Sequence, residues 1–141
     1  MRVKLAVVAD HANASAEGKL NILGIFDRIM VESLPAVHPL LHLVVQVEAH
    51  PAERGRPHAV ELRLHDPDGE AVFDLRGDVV PQGGPGEPIV ANQIIGINNL
   101  LLAKAGEYTF VVFVDNDLKA EIPLKVTVAE LPAPPNGGMV M

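Results

Sequence analysis

Val60-Glu61-Leu62-Arg63-Leu64-His65, running into Asp66-Pro67-Asp68-Gly69, is the stretch that decides the fold class of this chain. Successive side chains of an extended strand point to opposite faces, so Val60, Leu62 and Leu64 share one face while Glu61, Arg63 and His65 share the other. The turn that follows has proline where φ near −65° is wanted and glycine where a positive φ is wanted. Together they predict a hairpin between strands near 58–66 and 70–80. Folding it back opposes Leu64 to Ala71, Leu62 to Phe73 and Val60 to Leu75, so that each inward residue meets an apolar partner.

Outward from this hairpin, twelve prolines and twelve glycines punctuate short runs rich in Val, Ile and Leu, the pattern of an all-β domain. Further strands are expected near 3–12, 19–32, 40–50, 89–101, 107–115 and 119–128. About eight strands suffice for two packed sheets, and the reading is a two-sheet Greek-key, immunoglobulin-like β-sandwich over residues 1–128. Pro-Gln-Gly-Gly-Pro-Gly-Glu-Pro at 81–88 cannot build a ladder and is expected to cross between the sheets. Residues 129–141, with Pro132, Pro134, Pro135 and two glycines, read as a C-terminal tail. Tyr108, the single tyrosine, stands two residues after Gly106 at the head of an apolar strand. That placement is shared by a tyrosine corner, in which the ring enters the core and the hydroxyl bonds to backbone a few residues upstream, and by an ordinary half-buried strand tyrosine.

Composition narrows the function classes. The chain has 141 residues, 18 acidic against 11 basic, and a net charge of −7, so long-range attraction to nucleic acid or to an anionic membrane is not expected. Four Phe, one Tyr and no Trp leave little for base stacking. The absence of cysteine excludes disulfides, thiolate metal sites and a cysteine nucleophile, and fits a reducing, cytoplasmic location. The apolar run behind Arg2 and Lys4 stops at Asp10-His11, short of a secretory core, and is read as the first strand.

Three segments taken together carry a family resemblance. They are Ala9-Asp10-His11-Ala12-Asn13 running to Gly18-Lys19-Leu20-Asn21-Ile22-Leu23-Gly24-Ile25-Phe26-Asp27, then Pro35-Ala36-Val37-His38-Pro39, then Asn92-Gln93-Ile94-Ile95-Gly96-Ile97-Asn98-Asn99-Leu100. Over residues 1 to 128 the chain resembles an uncharacterised bacterial family of small soluble all-β proteins. The resemblance implies no activity, substrate, cofactor or site residue.

Enzyme chemistry finds weak footing. Asp10, His11 and Ser15 are the residue types of a nucleophilic triad, but neighbours on a strand point apart, so Asp10 cannot orient His11 unless the chain leaves the strand there. Ser33 lies in no nucleophile-elbow pattern. His42, Glu48 and His50 share one polar face and Glu61, Arg63 and His65 another. Should those strands pair, the faces adjoin, but no tight histidine pair marks a zinc site and none is assigned. Gly83-Gly84-Pro85-Gly86 lacks the lysine, the Ser/Thr and the helix of a phosphate loop. No cofactor is expected.

Two features remain. Asn92, Gln93, Asn98 and Asn99 interrupt an aliphatic strand, and such amides either bond to neighbouring backbone, as at a bulge near Gly96, or face a ligand. With Asp10, His11 and Asp27 they form the candidate ligand-binding set at one end of the sandwich. The second feature is surplus apolarity. In Tyr108-Thr109-Phe110-Val111-Val112-Phe113-Val114 and in Leu40 to Val45 both strand parities are hydrophobic, although an outer face normally meets water. Such a face is covered either by the same chain or by another molecule. Leu40, Val44, Val111 and Phe113 are therefore the candidate interface, and the Met139-Val140-Met141 end a candidate strap on a neighbour. The favoured role is a non-enzymatic module that binds itself or another protein. The alternative is a small enzyme or ligand-binding domain built on the polar cluster.

Overall fold

The computed structural model describes residues 1–87 and 89–129; most of the expected tail, and its Met139-Val140-Met141 end, lies outside the described residues. Nine strands are present among the described residues: β1 (Arg2–Ala14), β2 (Leu20–Ile25), β3 (Arg28–Val31), β4 (Ala36–Ala49), β5 (His58–His65), β6 (Ala71–Val79), β7 (Ile89–Leu102), β8 (Gly106–Val114) and β9 (Asp117–Val128). A single 3₁₀ turn, Pro51–Glu53, joins β4 to β5. One sheet has the order β2-β1-β4-β7 and the other β3-β9-β8-β5-β6. β7 returns beside β4 and β8 beside β5, so the key interlocks across both sheets, while β3 lies parallel on β9. This is the immunoglobulin-like sandwich that the strand pattern predicts. The 81–88 segment does connect the two sheets, leading from β6 to β7.

The expected single strand over 19–32 is two strands. Phe26 N donates to Val8 O at 3.0 Å while Asp27 O accepts from Lys125 N at 2.8 Å. One dipeptide thus bonds to both sheets, and the chain changes layer there. Periodicity hid the break because both halves continue with apolar residues at alternate positions.

The hairpin that decides the fold is present, but its register differs by one pair. Leu64 opposes Phe73, Leu62 opposes Leu75 and Val60 opposes Gly77, with a bulge after His65↔Ala71. The cause is Asp66. Its carboxylate accepts from Asp68 N at 2.9 Å and Glu70 N at 3.0 Å, while Asp66 N donates to Glu70 O at 2.8 Å. Asp66 and Glu70 therefore close the turn, Gly69 adopts φ 85°, and the extra residue Val72 is accommodated as a bulge that keeps Phe73 on the inner face.

Tyr108 forms the corner. It is 1% exposed, its hydroxyl donates to Lys104 O at 2.9 Å and accepts from Lys104 N at 3.2 Å. The half-buried alternative is thereby excluded. Around it the core gathers Val8, Leu41, Leu43, Val45 and Val47 from one sheet and Leu62, Leu64, Phe110, Val112 and Leu124 from the other. Burial of aliphatic side chains on this scale is what holds the layers together, at about 1.5–3 kcal/mol each.

Candidate functional site

The first strand changes neighbours along its length within one sheet. Pairing of β1 with β4 ends at Ala9↔His42, and from Ala9 to Ala14 the strand pairs with β2 instead. Beyond Ala9 the hairpin folds back over the outer face of β4 and β7. His42 Nδ1 donates to Asp10 O at 3.3 Å, and Asn92 Nδ2, far along β7, donates to Gly18 O at 3.3 Å. Ala9 and Val44 beneath it are 0% exposed and Ala12 4%. Gly24 makes the fold-back possible. It sits at φ 70°, and a Cβ there would lie 2.4 Å from Asp10 Oδ2, so only glycine leaves room for the Asp10 carboxylate.

This geometry scatters the residues that the sequence grouped. Asp10 lines a cleft of about 300 Å³ with Phe26, Arg28, Met30 and His38. The His11 ring instead meets His42 edge-on at 5.0 Å between centroids. Asp27 lines a separate cleft with Ile25, Ile122 and Pro123. Asn92 bonds to Gln46 Nε2 at 3.0 Å as well as to Gly18. Gln93 pairs with Val45, an inward position of β4, and so belongs to the other face of β7. Asn98 stands opposite Leu40. Asn99 takes the left-handed φ of 53°. The bulge expected near Gly96 is absent, since β7 pairs with β4 there without a shift of register, and the inward parity changes at Asn99 instead, from Ile97 to Leu100 and Leu102. The His42 ring lies over Gly96, 3.6 Å from where a Cβ would be, an ordinary contact distance.

The polar faces considered for a metal do not adjoin, because β4 and β5 lie in different sheets. Nor does the Gly83–Gly86 loop offer its amides to an anion: Gly84 N already donates to the Glu87 carboxylate at 3.1 Å. Lys19 pairs with Glu17 at 3.2 Å in the open solvent.

Of the candidate interface residues, Val44 and Val111 are buried within the chain, at 0% and 6% exposed. The hairpin covers the first. On the outer face of the second sheet, the Arg63 guanidinium lies 5.0 Å from the Phe113 ring centroid and pairs with Glu61 and Asp74, so its aliphatic stem shields that face. Leu40 stays 40% exposed. Neighbouring it on the outer side is the cross-strand pair Val37↔Leu101, at 56% and 54% exposed.

The sandwich is not sealed at its side. β6 pairs only with β5, and β7 only with β4 apart from the isolated bridge Gln82↔Val90, among the described residues. Both sheets therefore end there in an unpaired edge. Between the edges the core is open in a cleft of about 240 Å³ lined by Val60, Leu62, Leu75, Gln93 and Ile95. Leu75, on the inner face, is 44% exposed, and Val72 and Val80 each 40%.

Sequence reasoning passed over one constellation. His58 is the one buried polar residue among those described. Its Nδ1 meets Asp115 Oδ2 at 2.7 Å and its Nε2 meets Glu53 O at 3.2 Å. Both partners are acceptors, so the ring satisfies both only as an imidazolium. The Asp115 carboxylate raises the His58 pKa, and the His58 bond in turn lowers that of Asp115. Asp115 Oδ1 also accepts from Ala59 N at 3.1 Å. A ring with both nitrogens occupied locks the β8–β9 turn to the 3₁₀ turn; it has no free nitrogen to act as a base. Only the spacing of a lone histidine from an Asp-Asn turn hinted at it, too little to single out the pair.

Among solved structures, an immunoglobulin-like protein (PA1606) from Pseudomonas aeruginosa is 15% identical with a TM-score of 0.41, over 89% of this chain and 94% of that one. The alkylpurine DNA glycosylase AlkC of Pseudomonas fluorescens, solved bound to DNA containing an abasic site analog, is 10% identical with a TM-score of 0.42 over 86% of this chain. This chain spans only 30% of that glycosylase chain. No curated protein matches. A family model described as a family of unknown function (DUF6941) matches residues 4–127.

Proposed function

Because the chain belongs to the DUF6941 family, a family of unknown function, we infer its role from its surfaces: a non-enzymatic protein-binding module that assembles with itself. The observation that carries this reading is the open side, where two strand edges end unpaired and Leu75 is left 44% exposed at the mouth of the core. An unpaired edge is a template for another strand, and folded proteins normally blunt or cover it. The cysteine-free composition suits a reducing, cytoplasmic setting. Sedimentation velocity from about 1 to about 100 μM spans the range in which a micromolar association becomes populated. A growing dimer fraction is expected, and a single monomer boundary throughout sinks the reading.

One observation favours a ligand-binding alternative: Asp10, Arg28 and His38 share a cleft with Phe26 and Met30, bringing an acid, a base and an imidazole beside apolar walls. Resonances of His38 that stay fixed on titration with small zwitterions and carboxylates would remove it.

A further inference from the structure

We propose that the β6 edge is a twofold dimer interface, in which β6 pairs antiparallel with β6 of a second copy of this chain about an axis through Leu75. The proposal rests on the self-assembly reading above and names its surface, partner and register.

The strand reads Ala71-Val72-Phe73-Asp74-Leu75-Arg76-Gly77-Asp78-Val79, and Leu75 is its midpoint. A twofold axis perpendicular to a sheet keeps each face on its own side, so paired residues must share parity, and the axis must pass through a residue. Centred on Leu75, Phe73 to Gly77 pair across the axis, clear of the bulge at Val72, and each Asp74 stands opposite the Arg76 of the second copy, twice. Moved by one residue, the axis sets Asp74 against itself, or Arg76 against itself and Asp74 against Asp78. Like charges directly opposite one another are destabilising, and opposite charges stabilising. An axis through Gly77 would set Arg76 opposite Asp78 but carry the two Leu75 side chains apart, whereas the axis through Leu75 brings them together at the mouth of the cleft. Charge pattern and the apolar contact at Leu75 thus select the same register.

Three observations on the chain itself agree. The free side of β6 has no strand beside it among the described residues. Arg76 is 71% exposed, with only long contacts to its own chain, 3.5 Å to Asp74 and 3.7 Å to Glu61, so a partner carboxylate can compete for it. Leu75, on the inner face, borders the cleft between the sheets, and the Leu75 of a second copy would stand beside it and help close that opening. The result is one continuous sheet across the dimer, with the apolar contact inside and the charge pairs outside.

A charge exchange tests this. Asp74→Arg alone and Arg76→Asp alone each put two like-charge pairs across the axis, and each is expected to raise the dimer dissociation constant by about tenfold or more. Mixing the two variants in equal amounts restores opposite charges at both positions and is expected to recover association to within about threefold of the original chain. The double variant Asp74→Arg/Arg76→Asp is expected to pair with itself likewise. Thermal melts of each chain identify any variant that has lost its fold, and the mixture then reports on pairing alone. If the unaltered chain dimerises and the single variants dimerise as tightly, the β6 interface is overturned while self-assembly stands; Val37→Lys with Leu101→Lys then probes a second exposed apolar surface. Single variants that dissociate but do not recover on mixing overturn the register. An unaltered chain that is monomeric at about 100 μM overturns the proposal and the reading beneath it together.

Discussion

At Tyr108 one hydroxyl both donates to and accepts from Lys104 backbone, and a buried hydrogen bond of this kind contributes about 1 kcal/mol. Tyr108→Phe keeps the ring and removes only the oxygen, so urea unfolding should show a loss near that figure; a loss below about 0.3 kcal/mol would mean the corner is not held by the hydroxyl. His58 gives a second prediction, in pH. Its folded pKa is raised, so its contribution is full below the unfolded value of about 6.5 and is lost as pH rises through the higher folded value. Asp115 is lowered, so its contribution is present above its unfolded value of about 3.9 and is lost as pH falls through the lower folded one. The groups facing the ring are Asp115 and Glu53, and the Met1 ammonium lies 3.1 Å from Glu53 Oε2. A melting temperature that declines from pH 6 towards pH 9 in the unaltered chain, and a flatter profile in His58→Gln, are the expected outcomes; identical slopes would dismiss the lock. Tyr108 was legible in part, because Gly106 and an apolar strand offered a corner, although an ordinary half-buried tyrosine fitted the same placement. His58 was not, because its partners lie 57 residues away at Asp115 and in a backbone carbonyl, and no local pattern encodes either.

Among the elements, the β1–β2 hairpin has the greatest consequence. Folded back on Ala9, it buries Val44 and removes the apolar outer face of β4 that the sequence exposes on paper. Gly24 is its pivot. Gly24→Ala forces a side chain into a positive φ and against the Asp10 carboxylate, and strain of this kind costs about 1–3 kcal/mol. Hydrogen exchange should locate the loosening in β1 beyond Ala9 and in β2; protection unchanged there would show that the hairpin does not depend on this glycine. The β5–β6 hairpin teaches the complementary lesson. Alternation fixed which residues face inward, and it did so correctly for Val60, Leu62, Leu64 and Phe73. The pairing slipped because the Asp66 carboxylate captures two turn amides and sets the closing pair, an interaction that acts across the turn and outside the periodic pattern.

For the whole molecule, the open side between β6 and β7 is where stability and assembly meet. If copies associate there, melting temperature must rise with protein concentration, because association draws the folded state forward. Differential scanning across a hundredfold concentration range should show this in the unaltered chain and much less of it in Asp74→Arg; a concentration-independent midpoint in both would speak against edge pairing. The class of fold, the positions of seven of the nine described strands and the crossover at 81–88 were determined by the sequence alone, because alternation, turn residues and apolar runs are local properties read within a few residues; for Tyr108 the same local signals allowed the corner beside an ordinary half-buried tyrosine. Three matters waited for the tertiary structure: the change of sheet at Phe26-Asp27, the burial of Val44 and Val111 by the chain's own hairpin and by Arg63, and the dispersal of Asp10, His11, Asp27 and the β7 amides. Each depends on which segments meet across the sheets, and contacts between residues far apart in sequence are set by how the layers close, not by any spacing along the chain.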